Sequence, residues 1–208
     1  MMSSKPYFDD VAQQWDKMRT SFFSEAVREK ALETAGVQRG KVAADIGAGT
    51  GFITEALVQS RVRVIAVDQS LEMLETMKKK FNGVQDIDCR VGDAVNLPIS
   101  SGSVDYAFAN MYLHHVEIPS QAIVEMVRIL KPGGKLVLTD LDEHDYDFLR
   151  TEQHDRWMGF KRKDVQGWLK EAGLTDVVVD CADEECCAGS SCGCEDASIS
   201  IFIASGEK

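Results

Sequence analysis

Two stretches of the chain concentrate residues able to do chemistry. In Asp45-Ile46-Gly47-Ala48-Gly49-Thr50-Gly51, a carboxylate precedes three alternate glycines, which permit positive φ and let a ligand approach the backbone closely. A dinucleotide fingerprint needs glycine at position 52, where Phe52 stands, and the carboxylate of Asp45 would sit awkwardly beside a pyrophosphate. A triphosphate-binding loop fails too, because no Lys-Ser or Lys-Thr pair follows the glycines. An acid ahead of the glycines suits a cationic ligand instead. The second stretch runs from Cys181 through Cys186, Cys187, Cys192 and Cys194. Thiolates are soft ligands for zinc, copper(I), iron-sulfur clusters or trivalent metalloids. Cys186, Cys187, Cys192 and Cys194 are the candidate ligands of such an ion. Five of the six cysteines crowd this segment, whereas a disulfide framework distributes them, so reduced thiols are expected.

The elements that position these residues alternate. Short apolar runs rich in Val and Ile predict strands at 42–46, 62–67, 87–91, 104–110, 135–141, 177–181 and 199–205. Three- and four-residue apolar spacing predicts helices in SEAVREKALETAG, TGFITEALVQS, SLEMLETMKKK, PSQAIVEMVRIL and KDVQGWLKEAG, with Gly36 and Gly173 as C-terminal caps and Pro119 in a first turn. This is an α/β pattern: a seven-stranded, doubly wound, mostly parallel sheet. The Cys-rich loop, residues 182–197, is too short for a crossover helix, so the last strand is expected to run antiparallel to its neighbour. Residues 1–23 carry Tyr7, Phe8, Trp15, Phe22 and Phe23, more aromatic surface than a loose tail would hold, and are expected to fold back as a cap over one domain spanning 1–208. Tyr7 and Trp15 are candidates for a lid.

A chain of 208 residues with 44% apolar content supports one large core. Its formal charge of −11 repels phosphate backbones and anionic headgroups, which argues against nucleic-acid and membrane partners. The amino terminus lacks the order of a secretory signal and no apolar run has membrane-spanning length, so a cytoplasmic protein is expected.

The run VAADIGAGTGFI resembles the first motif of the class I S-adenosylmethionine-dependent methyltransferases. The likeness continues in order through AVDQSLEML, GDAVNLPISSGSVDYAFANMYLHHV and RILKPGGKLVLTDL, covering residues 40–141. The resemblance implies a Rossmann-like methyltransferase fold with S-adenosyl-L-methionine as cofactor, bound along Asp45, Gly47, Gly49, Gly51, Asp68, Gln69, Asp93, Ala94 and Asn110. Asp68, ending the second strand, is placed to accept from both ribose hydroxyls. Asp93 is placed to accept from the adenine amino group, with the backbone N–H of Ala94 facing a ring nitrogen. Asn110 lies at the switch point between the first and fourth strands and would bond the methionine part.

Methyl transfer from a sulfonium is an in-line displacement in which charge disperses, so alignment and exclusion of water are the main requirements. The sequence therefore names the donor better than the acceptor. His114 and His115 follow the fourth strand at the catalytic edge, and an imidazole there can take a proton from an acceptor hydroxyl or thiol. In methyltransferases that resemble this one, such a pair is common and one ring often only packs against the cofactor. The leading expectation is a small-molecule acceptor. Alternatives are arsenite or another soft metalloid captured by the vicinal Cys186-Cys187 pair, and a non-catalytic metal or cofactor sensor on the same fold.

Overall fold

A computed structural model describes residues 4–190, 193 and 196–208. Three helices open the chain, α1 (Lys5–Val11), α2 (Trp15–Arg19) and α3 (Ala26–Ala35). Strands and helices then alternate: β1 (Val42–Ile46), α4 (Phe52–Gln59), β2 (Arg63–Asp68), α5 (Leu71–Lys80), β3 (Ile87–Val91) and β4 (Val104–Asn110). A 3-10 turn at Leu113–His115 leads to α6 (Pro119–Ile129), β5 (Leu130–Leu141), α7 (Phe148–Glu152), α8 (Arg162–Glu171), β6 (Thr175–Gly189) and β7 (Asp196–Glu207). The strands form one seven-stranded sheet in the order β3-β2-β1-β4-β5-β7-β6. Pairing is parallel from β3 to β5, and β7 runs antiparallel between β5 and β6. The expected fold class holds.

Both faces of the sheet are covered because alternate strand residues are apolar in both directions. Ala43, Tyr106 and Phe108 pack with Val27, Ala31 and Leu57 of α3 and α4 on one side. Ala44, Ile46, Ala107 and Ala109 pack with Ile123, Met126, Val165 and Leu169 of α6 and α8 on the other. Gly36 ends α3 at φ 63°, in the left-handed cap conformation that its position predicts. Among the described residues no helix is long and apolar enough to cross a membrane.

The amino-terminal segment packs against the turn after β4 and the segment after α7. Phe8 meets Trp15 edge-on with ring centroids 5.4 Å apart, and His115 at 5.0 Å. The Tyr7 hydroxyl donates to Gln153 Oε1 at 2.8 Å.

The Cys-rich stretch departs from expectation. Most of 182–197 is β-ladder rather than loop: Cys186 pairs with Ile199, Cys187 with Ser198 and Ala188 with Ala197. Acidic residues and glycine disfavour strands by propensity. Here Ala182, Cys186 and Ala188 recur on the buried face with Ala197, Ile199 and Ile201 opposite, and that packing prevails. A register shift between Cys181 and Glu185, with Asp183 at φ 61°, absorbs the irregular spacing.

Candidate functional site

The loop from β1 to α4 has no room for a side chain at Gly47 or Gly51. Gly47 sits at φ 68°, and a Cβ there would lie 2.2 Å from the ring of Tyr112. Gly51 occupies the N-cap position of α4 at φ 96° and offers no side chain to cap it. Asp45 supplies the missing acceptor from the preceding strand: its Oδ2 takes the Thr54 backbone N–H at 3.0 Å and the Thr54 hydroxyl at 2.6 Å. Thr54 is the third helical residue, whose N–H a capping side chain normally satisfies. Burial pushes the Asp45 carboxyl up to about 6, the Thr54 hydrogen bonds pulling against it. Asp45, which the sequence places as a ligand-contacting residue, is buried and absent from the cavity wall. Gly51 is likewise not on that wall.

The cavity, about 400 Å³, lies over the carboxyl ends of β1, β2 and β4, the switch point at which open α/β sheets bind ligands. Gly47, Gly49, Asp68, Gln69, Asp93 and Asn110 all border it. Asp68 Oδ2 accepts from Gly49 N at 2.8 Å and Oδ1 from Ser70 N at 2.9 Å, so one carboxylate fixes both the glycine loop and the start of α5. Burial raises its pKa against these N–H donors. Asp93 Oδ1 accepts from Val95 N at 3.1 Å. Asn110 Oδ1 accepts the Thr139 hydroxyl at 2.7 Å, which turns its amide N–H groups toward donation elsewhere. The next residue, Met111, is held at φ 49°, a left-handed conformation costing a non-glycine residue about 1–3 kcal/mol.

Two features of this cavity had no sequence signal. The Tyr112 ring lies against Gly47, and its hydroxyl turns toward the Gln69 side chain and the backbone N–H of Ala94. Ala94 itself does not border the cavity. Burial, followed by Asp68 and Asp93, pushes the Tyr112 phenol up, so it stays protonated. Arg19 also borders the cavity, buried over the Phe52 ring at 4.2 Å and paired with Glu25 at 2.8 Å. Its Nε is buried without a partner. A lone arginine on a short helix carries no motif.

His114 and His115 stand at the carboxyl end of β4 as expected. His114 Nδ1 lies 2.6 Å from Asp140 Oδ1 on β5. Burial opposes charge on this ring, but Asp140 and then Asp155 outweigh it and hold His114 at about 9. Already protonated at neutral pH, His114 cannot act as a general base. His115 is pushed well below the ordinary value by burial and then by His114, so it is neutral, and it borders the cavity. Burial raises Asp155 to about 6.

A second, smaller cavity of about 60 Å³ adjoins the first and shares Phe8, Trp15, Phe23, Met111 and His115 with it. Cys186 lines this cavity. Burial, then the charges of Asp155 and Cys187, pushes its thiol up to about 12. Cys187 is exposed on the opposite face of β6, because successive strand residues point to opposite sides. The vicinal pair therefore does not present two thiols to one ion, contrary to the sequence expectation. Cys192 and Cys194 lie outside the described residues.

A doubly wound sheet with a glycine turn after β1 and carboxylates after β2 and β3 defines a nucleoside-binding α/β protein. Residues 44–138 match the methyltransferase domain family. The demethylmenaquinone methyltransferase of Staphylococcus epidermidis is 35% identical over a 204-residue alignment covering 83% of this chain and 85% of that protein. Three other curated relatives are matched over only 41%, 61% and 53% of their own length. Among solved structures, a methyltransferase in complex with the Haloferax volcanii Trm112 activator superposes with TM-score 0.79 at 20% identity, over 99% of this chain and 97% of that one. Phosphoethanolamine N-methyltransferase 2 of Haemonchus contortus, bound to S-adenosyl-L-methionine, gives TM-score 0.71 at 18% identity, over 87% of this chain and 52% of that one. The chain belongs to the class I S-adenosylmethionine-dependent methyltransferases. S-adenosyl-L-methionine is its cofactor, and the cavity bordered by Gly47, Gly49, Asp68 and Asp93 offers the backbone and carboxylate groups that could hold it.

Proposed function

We propose that this enzyme methylates a small, largely apolar acceptor that enters through the second cavity. The supporting observation is that the two cavities meet at Met111 and His115, beneath a cover of Phe8, Trp15 and Phe23. Tyr7, Phe22 and Leu149 complete an aromatic and aliphatic lining that suits a planar acceptor. The relatives' own names, as demethylmenaquinone methyltransferases, fit an acceptor of that character.

In this reading Asp68 and Gln69 hold the ribose, Asp93 and Ala94 the adenine, and Asn110 and Arg19 the methionine end. Bound there, the cofactor supplies an electrophilic methyl on a sulfonium. Asp45 shapes the glycine loop through α4. The cover over both cavities excludes water, and His115, where the two cavities meet, orients the acceptor. A metalloid acceptor gains no support from Cys186, whose thiol is protonated, nor from Cys187 on the far face.

The test is release of S-adenosylhomocysteine from the purified protein offered a panel of hydroquinones and naphthols, with arsenite plus thiol as a separate arm. Turnover with an aromatic acceptor, lost in His115→Ala while cofactor affinity is kept, is expected. Release that only arsenite stimulates would replace this reading with the metalloid one.

A further inference from the structure

Beside the acceptor cavity lies a group of side chains that the methyl-transfer reading does not use in full. His114 and His115 come from the 3-10 turn after β4, and Asp155 from the segment after α7. One ligand atom from each falls within 4.8 Å of the others. His114 Nε2 is 3.8 Å and His115 Nδ1 3.9 Å from the same atom, Asp155 Oδ1. We propose that His114, His115 and Asp155 form a site for a divalent transition-metal ion of the zinc class, with Asp140 orienting His114 from behind.

The distances exclude the simpler alternative. A proton shared between these groups would draw nitrogen and oxygen to about 2.8 Å, and contacts near 4 Å are not hydrogen bonds. Ligand atoms held tetrahedrally at about 2.1 Å from an ion lie about 3.4 Å apart, so each nitrogen needs to close on Asp155 Oδ1 by about 0.4–0.5 Å. His115 Nδ1 is moreover buried with no hydrogen-bond partner, although its side chain is only 9% exposed. A buried ring nitrogen left unpaired costs about 1–3 kcal/mol and calls for a partner.

The surroundings are those of a metal ligand. A metal-binding histidine usually donates its other N–H to a carboxylate, which fixes the ring and frees the second nitrogen; His114 does this to Asp140 at 2.6 Å. Two buried carboxylates facing two imidazoles leave negative charge that a divalent cation neutralises. Two imidazoles and one carboxylate leave an open coordination position, as catalytic rather than structural sites do. His114, His115 and Asp155 all border the second cavity, so that position would receive water or the oxygen or sulfur of an acceptor. This last step rests on the methyltransferase reading; the metal site does not.

The experiment uses the full chain, stripped of metal and titrated with Zn²⁺ by calorimetry and with Co²⁺ as an absorbing probe, and S-adenosylhomocysteine affinity is measured on the same samples. One equivalent is expected to bind, with a four-coordinate Co²⁺ spectrum, in the wild type and in Cys187→Ser/Cys192→Ser/Cys194→Ser. Asp155→Asn and His115→Gln, each checked for folding by circular dichroism, should weaken binding at least 100-fold, and Asp140→Asn about 10–100-fold. Absence of stoichiometric binding to the wild type, binding unchanged in a folded Asp155→Asn or His115→Gln, or loss of binding in the cysteine variant would each overturn the site. Metal binding without cofactor binding would sustain the site and remove its link to the acceptor.

Discussion

Replacing Asp45 with asparagine should make the protein more stable at neutral pH. The carboxyl is buried and titrates at about 6 in the folded chain against 3.8 for the free group, a difference worth about 3 kcal/mol. Because the folded pKa lies above the unfolded one, the native state holds a proton that the unfolded chain has released between about pH 4 and 6. Wild-type stability therefore falls as pH rises through that window and stays reduced above it. Asparagine keeps an oxygen for the Thr54 N–H and hydroxyl and never ionises, but its amide donors lack an assigned acceptor, costing about 1–2 kcal/mol. The net expectation is a gain of about 1–2 kcal/mol near pH 7.5, reversing to a loss of similar size near pH 4. Urea unfolding of both proteins, followed by tryptophan fluorescence at several pH values, measures the difference directly. A difference that does not change with pH, or one that moves against the variant as pH rises, would refute the balance drawn between burial and the Thr54 hydrogen bonds.

Asp68→Ala should weaken S-adenosylhomocysteine binding at least tenfold by calorimetry, since it removes the carboxylate that receives the Gly49 and Ser70 N–H groups and borders the cavity; unchanged affinity would exclude Asp68 from the site. Gly47→Ala adds a Cβ 2.2 Å from the Tyr112 ring at φ 68°, and the strain of about 1–3 kcal/mol should lower Tm by about 3–10 °C in a melting experiment. An unaltered Tm would mean that the loop relaxes at no cost.

Local pattern carried much of this structure. The alternation of apolar strands and amphipathic helices, the glycine turn and the carboxylates ending β2 and following β3 are each specified by a few adjacent residues. The rest depends on partners distant in sequence. Asp45 looked like a ligand because of its place before the glycines, and only Thr54 reveals it as the cap of α4. The antiparallel pairing of β6 and β7 was expected, but its extension through the Cys-rich stretch was hidden because those strand residues are small and acidic, and the pairing that orders them comes from β7 itself. His114, Asp140 and Asp155 lie on three separate segments, so no spacing rule joins them. Arg19 and Tyr112 are single residues whose meaning comes wholly from the cavity they border.

Tyr112 also gives the donor site a competitor that travels with it. If the adenine takes the Ala94 N–H, as proposed, the Tyr112 phenol beside it has to move first, and binding becomes an exchange. The affinity a titration reports is then the intrinsic one scaled by the fraction of molecules whose ring has already swung away, and each 1.4 kcal/mol holding the ring in place costs about tenfold. Any acceptor, partner or ion that shifted the 3-10 turn beyond Tyr112 would change donor affinity without touching the donor.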